Sequence, residues 1–295
     1  MNEQIEKNLW RFPGNNYTNE SGLDTSDMET FKKDPISSLA RELCQNSIDA
    51  RLDVNHPVIV EFNLFQIENE KIPGKKRILQ EVVSCGKEWA YHHKISTQLK
   101  EMEKSLNKKN IDCLRISDFN TTGLKGVSTG EKSSWYLLTK GSGISDKSGT
   151  TGGSKGIGKF ATFVASEFNT VFYSTQTIDN EFGYEGICKL CSTSMENSDE
   201  KTQGIGYYGR DEKNNPILEQ YSLEPGYSRT EPGTDIFIVG FRQETTWIKD
   251  IVTKVLDSFM SAIVRNQLII KISQAGAAST AAAAATEIAT TTAAS

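Results

Sequence analysis

The chain has 295 residues, which is enough for one large domain or two modest ones. Its formal net charge is −5, which argues against a protein that binds nucleic acid over a broadly cationic surface. No stretch approaches the roughly 18 consecutive apolar residues of a membrane span, and the first residues lack a signal-peptide pattern. We therefore expect a cytoplasmic protein that does not cross a membrane.

The first predicted elements are an arm and a helix. Residues 1–34 are polar and rich in turn-forming residues, which predicts an arm or strap with little core of its own. Asp34 and Pro35 are typical of a helix N-cap and first helical position, and helical spacing continues to about Asp53. Most of the circumference of this helix is apolar, and one narrow stripe is polar: Glu42, Asn46, Asp49 and Asp53.

A basic insert separates the next two predicted strands, residues 57–67 and 112–119. The insert, residues 71–110, contains ten basic and four acidic side chains, and its second half has helical character. This pattern is typical of a solvated helical face. The alternative is a contact with nucleic acid or with a partner protein.

Residues 139–158 are so rich in Gly, Ser and Thr that they predict a mobile loop or lid. A helix follows, then strands at 169–177, 181–192, 202–209 and 234–241, an amphipathic helix at 245–266 and a strand at 268–272. Residues 273–295 have almost no large apolar side chains and cannot build a core. They are either a disordered tail or a placeholder for unassigned sequence.

Two groups of carboxylates suggest chemistry. Glu42, Asn46 and Asp49 project from one helix face, where a carboxylate can polarise water while an amide oxygen binds Mg²⁺. Asp118 ends a buried strand and is well placed to accept a hydrogen bond from an exocyclic amine such as that of adenine. The alternative for Asp118 is an Asx-turn that only ends the strand.

Two further motifs concern glycine-rich turns. Gly153, Gly156 and Gly158 precede a helix, so their backbone N–H groups can converge on phosphate oxygens. The segment nearly matches a P-loop, but Phe160 occupies the position of the Mg²⁺-binding hydroxyl and no apolar strand precedes it, so we reject a P-loop. Thr234 opens a late strand, which alone indicates an ordinary turn into that strand.

Together and in this order, RELCQNSIDA, ISDFNTTG, GGSKGIGKF and GTDIFI resemble the four motifs of the GHKL ATPase superfamily. That superfamily includes gyrase B subunits, MutL, the large heat-shock chaperones, histidine kinases and MORC proteins. The resemblance covers about residues 34–242 and implies an α/β (α+β) Bergerat fold over residues 35–272. This fold is a two-layer sandwich of a mixed β-sheet with helices on one face and a Gly-rich ATP lid. In the second motif Asn120 replaces the first glycine, and the second glycine arrives one residue late, at Gly123.

The resemblance also implies a role for each matching residue. Glu42 would activate the hydrolytic water, Asn46 would coordinate Mg²⁺, and Asp49 would support these two. Asp118, in the motif that contains Gly123, would bind the adenine amine, with Thr234 beneath it. The phosphates would be held by Gly153, Gly156, Gly158 and Lys159.

The implied function is that of a Mg²⁺-dependent ATPase that couples ATP binding and lid closure to dimerisation or partner engagement. The chain looks most similar to MORC- and MutL-related stand-alone ATPases of prokaryotic defence cassettes. That likeness implies a homodimer or a hetero-oligomer with a nuclease or other effector, and DNA contact through residues 71–110. In gyrase-like and MutL-like relatives an N-terminal strap crosses to the partner protomer, as residues 1–34 would here. The alternatives are a chaperone-like ATP-driven protein clamp and a nucleotide sensor that does not hydrolyse ATP.

Overall fold

The computed structural model describes residues 9–129, 132–141, 158–196 and 198–274. Within these ranges, one mixed sheet contains β1 (Leu9–Arg11), β2 (Val58–Glu68), β3 (Asn110–Phe119), β4 (Ser166–Gln176), β5 (Phe182–Lys189), β6 (Ile205–Gly209), β7 (Gly233–Phe241) and β8 (Leu268–Gln274). The strand order is β1-β6-β5-β4-β7-β3-β2-β8. Neighbouring strands are antiparallel except β2 and β8, which are parallel. The predicted mixed α/β architecture is confirmed.

The helices in the described ranges are α1 (Ser26–Glu29), α2 (Pro35–Asp49), α3 (Lys75–Glu88), α4 (His93–Leu106), α5 (Ser134–Thr139), α6 (Phe160–Val164) and α7 (Trp247–Val264). Helix α2 begins as predicted, with the Asp34 side chain accepting a hydrogen bond from the Ser37 backbone N–H at 3.2 Å. It ends at Asp49 and not near Asp53. Arg51, which forms a β-bridge with Thr121, binds the His56 carbonyl through its Nε at 2.9 Å and folds the chain into a turn.

Helices cover both faces of the sheet. Helices α2, α6 and α7 share a core with Ile236 and Ile238 of β7. Helices α3 and α4 share a second core with the alternate residues, Phe237 and Val239. The prediction that the helices lie on one face is therefore wrong. The basic insert is the reason, since both of its halves are helical and their apolar stripes cover the second face.

The described part of the arm, residues 9–34, packs on this chain's own sheet. Strand β1 pairs with β6, and the Trp10 indole N–H donates to the Pro73 carbonyl at 2.8 Å. Trp10, Phe12 and Met28 are buried, so this part of the arm contributes more to the core than its polar composition predicts. Residues 1–8 lie outside the described residues.

Most of the predicted lid also lies outside the described residues, because residues 142–157, with Gly153 and Gly156, are not among them. The same holds for residues 275–295 of the predicted tail. None of the helices in the described ranges combines the length and apolar character needed to span a membrane.

Candidate functional site

Helix α2 carries the first group of predicted site residues. Leu39, Ala40 and other apolar side chains fix it against the sheet. Glu42 is half-buried at the rim of this packing, whereas Asn46 and Asp49 are exposed. The Asp49 carboxylate accepts a hydrogen bond from the Gln45 side-chain amide at 2.9 Å. Three residues of the predicted polar stripe thus lie on the accessible side of the helix, while Asp53 lies beyond its end.

The Glu42 carboxylate lies directly against Gly158, the last glycine of the third motif. A β-carbon added to Gly158 would overlap Glu42 Oε2 and crowd the carboxylate carbon. Only glycine therefore fits here without moving the carboxylate. The structure brings together two residues that the sequence assigned to one site from separate motifs.

Asp118 lies near the end of β3, with part of its surface still accessible. Its Oδ1 accepts hydrogen bonds from the Thr234 backbone N–H at 2.6 Å and from Thr121 Oγ1 at 2.8 Å. Ser47 of α2 shares its hydroxyl proton between Asp118 Oδ2, at 3.2 Å, and the Leu43 carbonyl, at 2.9 Å. Thr234 therefore lies next to Asp118 in the structure.

The electrostatic environment of Asp118 has opposing parts. Removal from water raises the pKa of this carboxyl, and the negative charge of Asp235 adds to the rise. The positive charge of Arg229 and the hydrogen bonds from Thr234 and Thr121 act in the opposite direction without cancelling it. An ionised carboxylate has about four acceptor positions, and the protein donors named above do not fill them all. Asp118 can therefore still accept a hydrogen bond from a ligand.

The turn after Asp118 differs from the family motif at Asn120 and Gly123, and the backbone at both positions suits the residue present. Asn120 has a φ of 57°, in the left-handed region that asparagine tolerates better than most residues. Its side-chain amide donates to the carbonyls of Asp53 and His56, each at 2.9 Å, and so ties the loop after α2 to this turn. Gly123 has a φ of 68°, and a β-carbon there would overlap the Gln176 carbonyl oxygen.

We expect Gly123→Ala to lower the free energy of unfolding by about 1–3 kcal/mol, because the left-handed backbone and the rigid Gln176 carbonyl both oppose a β-carbon. Gly86→Ala is the matched control. Gly86 lies within α3 with no atom near its added β-carbon, so alanine there should stabilise the protein by roughly 0.5–1 kcal/mol. Urea denaturation of the two variants measures both changes, and equal effects would contradict this description of the turn.

Lys159, the lysine predicted to bind phosphates, contacts backbone carbonyls in the structure. Its ammonium donates to the carbonyls of Leu137, Leu138 and Gly141 at the C-terminal end of α5. Burial and, to a smaller extent, the positive charge of nearby Lys189 lower the pKa of Lys159 to about 8. In the described structure Lys159 caps a helix end, where the negative pole of the helix dipole favours a cation.

Sequence reasoning missed three residues around Asp118: Ser47, Thr121 and Arg229. Ser47 is a small polar residue on the buried side of α2, and its helical position was the available signal. Arg229 lies in an irregular segment between β6 and β7, where no periodicity marks it. Its Nη1 donates to the Asp118 carbonyl at 2.8 Å.

The described residues contain no cluster of three or more His, Cys, Asp or Glu side chains arranged to hold a metal ion. Mg²⁺ at nucleotide sites commonly takes only one or two protein ligands, with waters and phosphates supplying the rest. The side chain of Asn46, an exposed residue one turn from Glu42, carries an amide oxygen of the kind that fits that pattern. Comparison with protein-family models gives no match to this chain, and comparison with curated proteins gives no significant sequence match.

Proposed function

We propose that this chain is a Mg²⁺-dependent ATPase of the GHKL type, with its ATP site on the accessible side of α2 and with a Bergerat fold in which α3 and α4 of the insert cover the second face of the sheet. One observation carries the proposal: a single helix contacts both the second and the third motif. Ser47 of α2 lies against Asp118, and Glu42 of α2 lies against Gly158.

The two contacts separate the site into two ends. Glu42 and Ser47 are five residues apart on α2, an offset of roughly 7.5 Å along the helix axis at about 1.5 Å per residue. At one end Asp118 would accept a hydrogen bond from the adenine amine. At the other, Glu42, which lies against Gly158, would take a proton from the attacking water beside the phosphates.

Mg²⁺, when bound, would neutralise charge on the phosphates, and Asn46 would hold it. Asn46 suits this role because its neutral amide oxygen can bind a cation without removing the charge of Glu42. ATP binding would then favour dimerisation or engagement of an effector subunit, the use of ATP that the sequence resemblance implies.

Calorimetric titration of the wild-type chain with Mg²⁺ and ATP, together with a phosphate-release assay, tests the proposal. We expect saturable binding of ATP and slow release of phosphate that depends on Mg²⁺. Absence of ATP binding in the presence of Mg²⁺ would overturn the proposed function.

The proposed DNA contact involves only part of the basic insert. Lys75 is nearly buried and pairs with Glu70 at 3.2 Å, and Arg77 pairs with buried Glu81 at 2.8 Å. These two basic side chains are therefore held in ion pairs within the protein and are not part of the proposed DNA contact. Lys100 and Lys104, by contrast, are exposed one turn apart on α4, where they could contact a phosphate backbone.

We expect the double variant Lys100→Glu/Lys104→Glu to weaken DNA binding and to reduce the salt dependence of binding by about two ions, because each lysine would neutralise one phosphate. Fluorescence anisotropy with a labelled duplex at several salt concentrations measures this. Lys213→Glu/Lys249→Glu is the control, since it reverses two exposed lysines outside the insert. Equal losses in the two double variants would show that only net charge matters and would contradict a contact at α4.

A further inference from the structure

Arg229 binds Asp235 on the face of the sheet opposite to α2. Asp235 and Phe237 are alternate residues of β7 and point to the same face, and Phe237 belongs to the core of α3 and α4. The side chain of Arg229 is only 2% exposed. Its Nε lies 2.9 Å from Asp235 Oδ2, and its Nη2 lies 2.6 Å from Asp235 Oδ1. This two-point pairing fixes the plane of the guanidinium.

The same guanidinium binds the backbone of both residues at the adenine end of the proposed site. Nη1 donates to the Asp118 carbonyl at 2.8 Å, and Nη2 donates to the Thr234 carbonyl at 2.9 Å. The pairing of β3 with β7 ends at Ser117 and Asp235. Arg229 thus joins the two strands where their own pairing stops, and it does so at Asp118.

Gly233 makes room for this connection. A β-carbon on Gly233 would overlap both Arg229 Nη1 and the Asp118 carbonyl oxygen. The glycine of the fourth motif is therefore required by the close approach of the guanidinium to the backbone. The backbone at Gly233 and Thr234 therefore packs directly on the Arg229 guanidinium.

Arg229 also affects the charge of Asp118. Its positive charge opposes the rise in the pKa of Asp118 that burial causes, and so favours the ionised carboxylate. A carboxylate only accepts hydrogen bonds, whereas a protonated acid also donates. Adenine presents an amine, a donor, at the position where guanine presents a carbonyl, an acceptor. An ionised Asp118 held in this position would therefore favour adenine.

We infer that Arg229 is a positioning residue that gives the site its preference for adenine over guanine nucleotides, by fixing Asp118 and Thr234 relative to each other. The inference rests on the proposed function, because it concerns the base-binding end of the same site. Arg229 would act through Asp118 without touching the nucleotide.

The test compares Kd for ATP and GTP, with Mg²⁺, in wild type, Arg229→Met and a matched control, Arg115→Met. Arg115 is also buried on this face and pairs with Glu224 at 2.5 Å, but its hydrogen bonds in the described structure go to Glu224 and Ser117. Both variants lose a buried cation, so both should melt at a lower temperature. Only Arg229→Met should reduce the preference for ATP over GTP, by about tenfold or more.

The outcomes separate the inference from the proposed function. A wild type that prefers ATP, with the same preference in Arg229→Met, would overturn the inference alone. A wild type without ATP affinity would overturn the proposed function and this inference with it. If Arg229→Met does not fold, Arg229→Lys replaces it, since lysine keeps the charge but loses the two-point pairing. That variant should show a smaller but measurable loss of preference, and an unchanged preference would again contradict the inference.

Discussion

Asp118→Asn is expected to abolish useful ATP affinity, with Kd rising about 10- to 100-fold or more. Hydrogen bonds to a charged group contribute about 1.5–3 kcal/mol, and the asparagine amide would turn a donor toward groups that are themselves donors. The asparagine oxygen would stay with the Thr234 backbone N–H and the Thr121 hydroxyl, so its NH₂ would take the place of Oδ2 and face the Ser47 hydroxyl and, in the proposed site, the adenine amine. Isothermal titration with Mg²⁺ and ATP measures the change.

Asp112→Asn is the matched control for Asp118→Asn, because Asp112 lies on the same strand and its carboxylate pairs with the Gln66 amide. It should bind ATP as the wild type does. In the wild type, ATP binding should also weaken as the pH falls through the pKa of Asp118. Since that pKa is raised, the loss begins at a higher pH than for an ordinary aspartate. Wild-type affinity in Asp118→Asn would contradict the assignment of the adenine end.

Glu42→Gln is expected to lower the rate of phosphate release by about 10²- to 10⁴-fold, the range that a general base contributes. ATP affinity should change little, because glutamine keeps the size of the side chain next to Gly158. A single-turnover assay with saturating ATP separates the chemical step from binding. The result would place Glu42 in the hydrolytic step and not in binding.

The control for Glu42→Gln is Glu101→Gln, which neutralises an exposed glutamate on α4. It should leave phosphate release unchanged. Hydrolysis that persists at the wild-type rate in Glu42→Gln would rule out Glu42 as the base. In that case the chain would fit the nucleotide sensor better than the ATPase.

Much of the fold is predictable because its signals are local. Asp34 and Pro35 determine the start of α2, and the alternating pattern before Glu68 specifies β2. The positions of the helices relative to the sheet are less predictable. The apolar stripes of α3 and α4 show that these helices pack on something, but their partner face on the sheet is a tertiary property.

The site residues also divide into those that local sequence patterns predict and those that only the folded chain reveals. Glu42 and Asp118 follow from motif spacing, whereas their contacts depend on how the strands are ordered. Arg229 could not be found from the sequence, because a lone arginine in an irregular segment gives no sign that it will reach Asp118. Lys159, by contrast, is easy to pick out from its motif, but the sequence does not show that its ammonium binds carbonyls at the end of α5.

The parallel pairing of β2 with β8 has a consequence for biosynthesis. It joins segments about 210 residues apart, as in the 2.9 Å contact of Lys271 with Glu61. Until β8 leaves the ribosome, the outer edge of β2 has no strand beside it, and a bare strand edge can pair with other chains. Pairing over such a distance also slows folding. The emerging chain is therefore most prone to aggregation between synthesis of β2 and synthesis of β8, the interval in which a chaperone would be of most use.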